Sequence, residues 1–317
     1  MRREIKMNYF AKTEQVQEAA QQKWQHQAQV KEYMSAVNPP MPTIDVIAYP
    51  SQLHQEGNTR IIPFDLSESL KTDVPATSPN LMASFLRICA NDTLNTTANA
   101  TSQVFYVIRG AGRTQMKDGT IEWKEGDLFT LPNVPDAMHV ASLDTAIYWV
   151  HDAPLLAYLG VFPSSPRFEP VLYTKEFLTH QLKEIRKVAE GRNRTGILLS
   201  NPNFPITMTL THTLWALYNV LPAGVTQKPH RHNSIALDFC VAAGENTYTL
   251  IGKEIDDAGN IINPIKAVWT AGSAFITPPG WWHSHHNESE EDAIVLPIQD
   301  AGLIMNMQVL DFQYIGI

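Results

Sequence analysis

Gly224-Val-Thr-Gln-Lys-Pro-His230-Arg-His232-Asn-Ser-Ile-Ala-Leu237 and, further on, Gly272-Ser-Ala-Phe-Ile-Thr-Pro278-Pro-Gly-Trp-Trp-His283-Ser-His285-His286-Asn287 hold five of the chain's eleven histidines. Along an extended strand, residues two apart share a face. His230 and His232 therefore aim at one point while Arg231 faces away. Pro278-Pro-Gly280 reads as a turn entering a second strand, from which His283 can close a three-imidazole group. Either run alone reads as a polar surface strand or an aromatic rim. Together they supply a donor set for a divalent transition metal. His285 alternates onto the face of His283 and is the catalytic candidate, as a hydrogen-bonding partner or a proton carrier beside the metal. His286 alternates outward.

The surroundings of these runs repeat earlier in the chain. Gln103-Val-Phe-Tyr-Val-Ile-Arg-Gly110 is similar to Leu237-Asp-Phe-Cys-Val-Ala-Ala-Gly244, and Gly126-Asp-Leu-Phe-Thr-Leu-Pro132 to Gly272-Ser-Ala-Phe-Ile-Thr-Pro278. His151-Asp-Ala-Pro-Leu155 pairs with Gln299-Asp-Ala-Gly-Leu303 in the same order, which points to a duplication. The second copy is longer before Gly272, where Asp256-Asp-Ala-Gly-Asn260 reads as the turn of an added hairpin. Short β-branched and aromatic runs between turn residues make both copies β domains. Gln/Ala/Glu/Lys-rich residues 8–37 predict a helix with Phe10, Val16, Ala20, Trp24 and Val30 as its apolar stripe, stopped by Asn38-Pro-Pro40. A second helix is predicted over 174–190, with Leu178, Leu182, Ile185 and Val188 on one face and Gly191 at its end. The expected division is a helical arm (1–40), a first β domain (41–165), a helical connector (166–195) and a second β domain (196–317).

A net charge of -8 and a pI near 5.7 exclude a basic nucleic-acid-binding face. No apolar run nears the ~20 residues of a membrane span, and MRREIKMNYF has no apolar region behind its charges. A cytoplasmic protein without a membrane partner is expected. Cys89 and Cys240 fall in separate domains and are expected to be free thiols.

The two histidine runs resemble the cupin signature. Gly224, His230, His232 and Gly244 match its first motif, with Leu237 where that motif has Glu, and Gly272, Pro278, Gly280, His283 and Asn287 match its second. The resemblance implies an all-β fold with flanking helices, two cupin (double-stranded β-helix, jelly-roll) barrels in tandem. His230, His232 and His283 are then the metal ligands. In the first copy the ligand positions fall at Thr96, Ala98 and Ala137, so that barrel is expected to be metal-free, a platform or a lid. Without Glu, three neutral imidazoles leave the metal's +2 charge uncompensated and about three positions open.

Among bicupins, the chain resembles the gentisate 1,2-dioxygenase-like ring-cleaving enzymes. Their His-Arg-His followed by Ala-Leu is matched by His230-Arg-His-Asn-Ser-Ile-Ala-Leu237, and their Trp-His-x-His by Trp282-His283-Ser-His285. Three departures stand out: Ser234 in place of a glutamine, an altered Trp spacing before His283, and a metal site in the second cupin where those enzymes usually use the first. What the resemblance implies is an Fe(II) dioxygenase, with Zn, Mn or Ni as alternative metals. Its substrates would be O2 and a hydroxylated aromatic carboxylate of the gentisate or salicylate type. Independently of the resemblance, a dimer or tetramer of identical chains is expected because closed homo-oligomers are the commonest assemblies. Substrate-contact candidates are Trp281, Trp282, Gln227, Tyr218 and Asp300. Asp238, one residue past the lost Glu position, is expected to face away from the metal. A zinc- or manganese-dependent isomerase or lyase acting on a small hydroxy-acid, and a non-catalytic ligand-binding bicupin, are the alternatives.

Overall fold

Gln103–Arg109 is a run of β-branched and aromatic residues, Ala236–Ala242 sets Leu, Phe and Val between smaller residues, and the first five residues of each are buried. Strands of this kind need a neighbour on each face. The computed structural model, which describes residues 16–37, 39–134, 136–188 and 194–315, supplies both.

Residues 43–317 form one compact unit containing two jelly-roll barrels, each made of two antiparallel sheets. In the N-terminal barrel one sheet runs Val171–Tyr173, Leu128–Leu131, Gln103–Arg109, Thr145–His151, Met82–Ile88, Arg60–Pro63. The sheet facing it runs Thr93–Thr97, Asp136–Ala141, Ala111–Met116, Gly119–Lys124. The C-terminal barrel repeats this order with Ala48–Tyr49, Ala274–Thr277, Ala236–Ala242, Ala293–Gln299, Trp215–Leu221, Thr195–Leu199. Its facing sheet is Ile265–Val268, Thr247–Gly252, Trp282–Asn287, Thr226–His232, Phe312–Tyr314. Equivalent strands fall in equivalent places, as the sequence repeat requires, and Phe312–Tyr314 is an addition beside the His230 strand. The added hairpin also forms, closed by a bridge between Ile255 and Ile261 with Asp256 accepting from the Ala258 and Asn260 amides.

The two larger sheets pack face to face. Their shared core holds Phe64, Phe85, Tyr106 and Tyr148 from one barrel with Leu237, Phe239 and Tyr218 from the other, and Tyr148 stacks on Phe239 at 5.1 Å. Each barrel keeps its own interior cluster, around Phe105, Phe129 and Trp149 in the first and Cys240, Phe275 and Val295 in the second. Two connections tie the barrels further. Ala48–Tyr49, before any strand of the N-terminal barrel, pairs with Ala274–Thr277 of the other. His54 accepts from Arg109 at Nδ1 (2.8 Å) and donates from Nε2 to the Gly272 carbonyl (2.9 Å).

The connector helix spans Lys175–Val188 and buries Leu178 and Leu182, whereas Val188 is 75% exposed. Gly191 lies outside the described residues. The arm, residues 1–42, is a separate unit. Within it residues 16–26 are helical, a 3-10 turn follows at Tyr33–Ala36, and residues 28–32 are not helical, so the expected helix over 8–37 is shorter at its C-terminal end. Residues 8–15, including Phe10, lie outside the described residues. Val16, Trp24 and Val30 are all exposed within this unit, and a helix with an unburied stripe has only propensity to extend it. No helix among the described residues is long and apolar enough to cross a membrane. Cys89 and Cys240 are both free thiols.

Candidate metal centre

His230 and His232 sit on strand Thr226–His232, where Gln227, His230 and His232 are buried while Thr226 and Lys228 are exposed. A register shift between Gln227 and His230 accommodates Pro229, which has no amide proton to give a ladder. His230 lies directly opposite His283 on the neighbouring strand Trp282–Asn287. Gly280, at φ +76°, makes the turn before that strand, and its amide donates to the His232 carbonyl at 2.7 Å. Turn and strand thus bring His283 up to the other two rings. One ligand nitrogen from each of the three lies within 4.8 Å of the others.

The bonding fixes which nitrogen two of the rings offer. His232 Nδ1–H donates to the Ser234 carbonyl at 2.9 Å and His283 Nδ1–H to the Trp281 carbonyl at 3.1 Å, leaving the two Nε2 lone pairs free. His230 Nδ1 is buried with no partner among the described residues, an orphan polar edge that a metal would complete. Burial holds all three below the ordinary histidine range, His232 at about 4, so the rings are neutral, as ligands must be. Three neutral imidazoles, two of them oriented by backbone carbonyls, fit a divalent transition metal. Among the described residues this is the one group of three or more metal-ligating side chains. In the N-terminal barrel Ala98 and Ala137 sit in the hydrophobic cluster at two of the equivalent positions.

His285 borders the same cavity. Trp269 Nε1–H donates to Thr249 Oγ1 (2.8 Å), and that hydroxyl donates to His285 Nδ1 (2.8 Å), which puts the ring's proton on Nε2. The identical Trp–Thr–His chain recurs in the N-terminal barrel as Trp123, Thr114 and His139, both bonds again 2.8 Å. There His139 Nε2–H donates to Thr96 Oγ1 at 2.9 Å. The device belongs to the barrel, and His285 enters the cavity as a hydrogen-bond donor.

The cavity, about 460 Å³, is lined by the four histidines, by Arg194, Asn219, Asp238 and Gln299, and by an apolar wall including Trp215, Leu217, Phe312 and Tyr314. Tyr314 stacks on His230 at 5.5 Å and Phe312 lies 5.2 Å from His232. Arg194 lies over the Tyr314 ring at 5.3 Å, donating from Nη1 to Gln227 Oε1 (3.4 Å) and from Nη2 to the Lys228 carbonyl (2.6 Å).

Of the substrate-contact candidates, only Gln227 approaches this cavity, through Arg194. Trp282 is turned to the far face, under the Arg231 guanidinium at 5.0 Å. Trp281 lines a separate cleft with Ile251 and Lys253. Tyr218 points into the core between the barrels. Asp300 accepts from the Ile235 amide (3.1 Å) and from Asn80 of the other barrel (2.8 Å), a structural tie. Leu237 and Asp238 reverse their expected places: Leu237 lies in the core between barrels, and Asp238 faces the cavity. Arg194, Phe312 and Tyr314 were not anticipated. The alternation of Phe312-Gln-Tyr314 is the signal that could have found the last two.

No protein-family model matches the chain. Over 124 residues it is 25% identical to the 5-aminosalicylate 1,2-dioxygenase of a Comamonas species, covering 39% of this chain and 30% of that protein. Over 160 residues it is 25% identical to the gentisate 1,2-dioxygenase of a Streptomyces species, covering 49% and 41%. The chain thus matches less than half the length of these relatives. The structure superposes on salicylate 1,2-dioxygenase from Pseudoaminobacter salicylatoxidans, solved as adducts with gentisate, with TM-score 0.71 and 12% identity over 95% of this chain and 94% of that one. It superposes on an oxalate decarboxylase with TM-score 0.53 and 14% identity over 86% and 84%. The fold is a bicupin, and its sequence resembles the gentisate type.

Proposed function

We propose that the chain is an Fe(II)-dependent dioxygenase that opens the ring of a hydroxylated aromatic carboxylate of the gentisate or salicylate type. The observation that carries this reading is the neutral three-histidine centre opening onto an apolar cavity with one bordering arginine. Bound Fe(II) would supply Lewis acidity toward the substrate's carboxylate and phenolate and an electron route to O2. His230, His232 and His283 would hold the metal. Among the described residues Arg194 spends two of its five N–H donors, on Gln227 and Lys228, and the other three would be offered to a substrate carboxylate. Trp215, Phe312 and Tyr314 offer aromatic faces to the ring, and Leu217, Val295 and Pro297 keep water out. His285 donates from Nε2 and orients whatever oxygen lies beside it.

In the reaction, the bond between the carboxyl- and hydroxyl-bearing ring carbons breaks. One oxygen atom of O2 ends as a keto oxygen and the other in a new carboxylate, the phenolic proton is released, and no external reductant is needed. A dimer or tetramer of identical chains goes with this reading, since closed homo-oligomers are the commonest assemblies. The test is oxygen uptake by anaerobically Fe(II)-loaded protein given salicylate, gentisate and substituted analogues, beside elemental analysis. The expected result is one O2 consumed per ring opened, with His232→Ala losing both metal and uptake. No uptake with any ring acid by iron-replete protein would overturn the proposal.

A further inference from the structure

Along Ala236–Ala242 the faces alternate: Leu237 and Phe239 enter the core between the barrels, while Cys240 enters the interior of the C-terminal barrel. Asp238 shares the inward face and forms part of the cavity wall beside the histidines. The residue is 4% exposed, and among the described residues its carboxyl accepts one bond, from Thr277 Oγ1–H at 2.7 Å. Among the described residues no cation pairs with it. Such a group is costly in a protein interior unless something answers it, and burial pushes it up to about 7.

Apart from the imidazoles, the ionisable side chains on the cavity wall are Asp238, Arg194 and the Tyr314 phenol. Arg194 precedes strand Thr195–Leu199, three positions from the Asp238 strand in the same sheet, or about 14 Å at the backbone. The cavity therefore presents a cation from one side and a lone carboxyl from another. A ring bearing only a carboxylate and the neighbouring hydroxyl, both directed to metal and arginine, leaves that carboxyl unanswered.

Building on the aromatic-acid reading above, we infer that Asp238 is a specificity-determining residue that accepts a hydrogen bond from a second donor on the ring, an amine or hydroxyl. The substrate class is thereby narrowed to amino- or hydroxy-substituted salicylates over salicylate itself.

The test is anaerobic calorimetric titration of the Fe(II)-loaded protein with salicylate, gentisate and 5-aminosalicylate, which differ in that one substituent. Wild type is expected to bind at least one donor-bearing acid ten-fold or more tighter than salicylate, and the better of the two identifies hydroxyl or amine. Asp238→Leu is expected to shrink the preference to within about three-fold, the ratio being read against that variant's own salicylate affinity. The near-isosteric Asp238→Asn, which covers the case of a leucine variant that does not fold, is expected to lower it part-way. Equal binding of all three acids by wild type, or a preference that survives in both variants, overturns the inference and leaves the dioxygenase reading standing. No binding of any of the three overturns both.

Discussion

Arg194 is held lightly for a half-buried guanidinium, among the described residues by one side-chain amide oxygen, one carbonyl and a ring face. If it receives the substrate carboxylate, Arg194→Met removes charge-assisted bonds worth about 1.5–3 kcal/mol each. The expected loss is more than ten-fold in ring-acid affinity with metal content unchanged, read by the same titration. Arg194→Lys should restore little, because an ammonium cannot reproduce the planar fork. Retained affinity in Arg194→Met would place the carboxylate elsewhere. Why the histidines were legible in the sequence and this arginine was not is a matter of reach. His230, His232 and His283 announce themselves by strand alternation, whereas Arg194 comes from a strand end and crosses to the opposite sheet. Alternation also explains the misplacements. The period that turns His283 inward turns Trp282 outward, and a one-residue error in placing the inward face exchanges Leu237 with Asp238.

Strand Phe312–Tyr314 pairs with the histidine strand through His230–Tyr314 and His232–Phe312, supplying both its outer neighbour and the aromatic wall. Without it, Thr226–His232 becomes an exposed edge whose amides open readily. A chain ending at Leu310 is expected to show faster amide exchange over Thr226–His232 and at least ten-fold weaker metal binding, followed by exchange mass spectrometry and metal titration. Unchanged metal affinity would reduce the strand to a rim. Its Phe-Gln-Tyr alternation was the available signal, but a run of three residues does not stand out by periodicity, so this element escaped a sequence reading that anticipated the longer strands and their duplicated order. The connector helix was legible for the opposite reason, since Leu178 and Leu182 bury on a neighbouring strand and packing reinforces their spacing. The arm's stripe has no such reinforcement within its own unit, and there the periodicity overstated the helix.

Across the whole of residues 43–315, the duplicated barrels have become unequal partners. The N-terminal one buries Leu237, Phe239 and Tyr218 on its sheet face, so the strand whose other face carries Asp238 depends on it. Both barrels also enclose neutral imidazoles, which has a consequence for acid stability. Burial lowers His139, His151 and His285 to about 3 and His232 to about 4, and holds His230 and His283 well below their ordinary value. A histidine depressed in the fold titrates near 6.5 once unfolded, so its stabilising contribution is complete above that pH and lost as the pH falls below it. Each such group costs up to about 1.4 kcal/mol per pH unit, and the four with printed values together cost on the order of 5 kcal/mol by pH 5.5. Asp238, raised to about 7, works the other way as the pH falls, but it is one group against several. Since whole domains are stable by about 5–15 kcal/mol, metal-free protein should lose most of its urea resistance between pH 7 and pH 5.5. Metal binds the folded state and should move that loss to lower pH. Urea midpoints at pH 7.5, 6.5 and 5.5, with and without metal, measure both effects. A flat profile in the metal-free protein would mean that these imidazoles are not held neutral, and with them would go the donor set on which the metal centre depends.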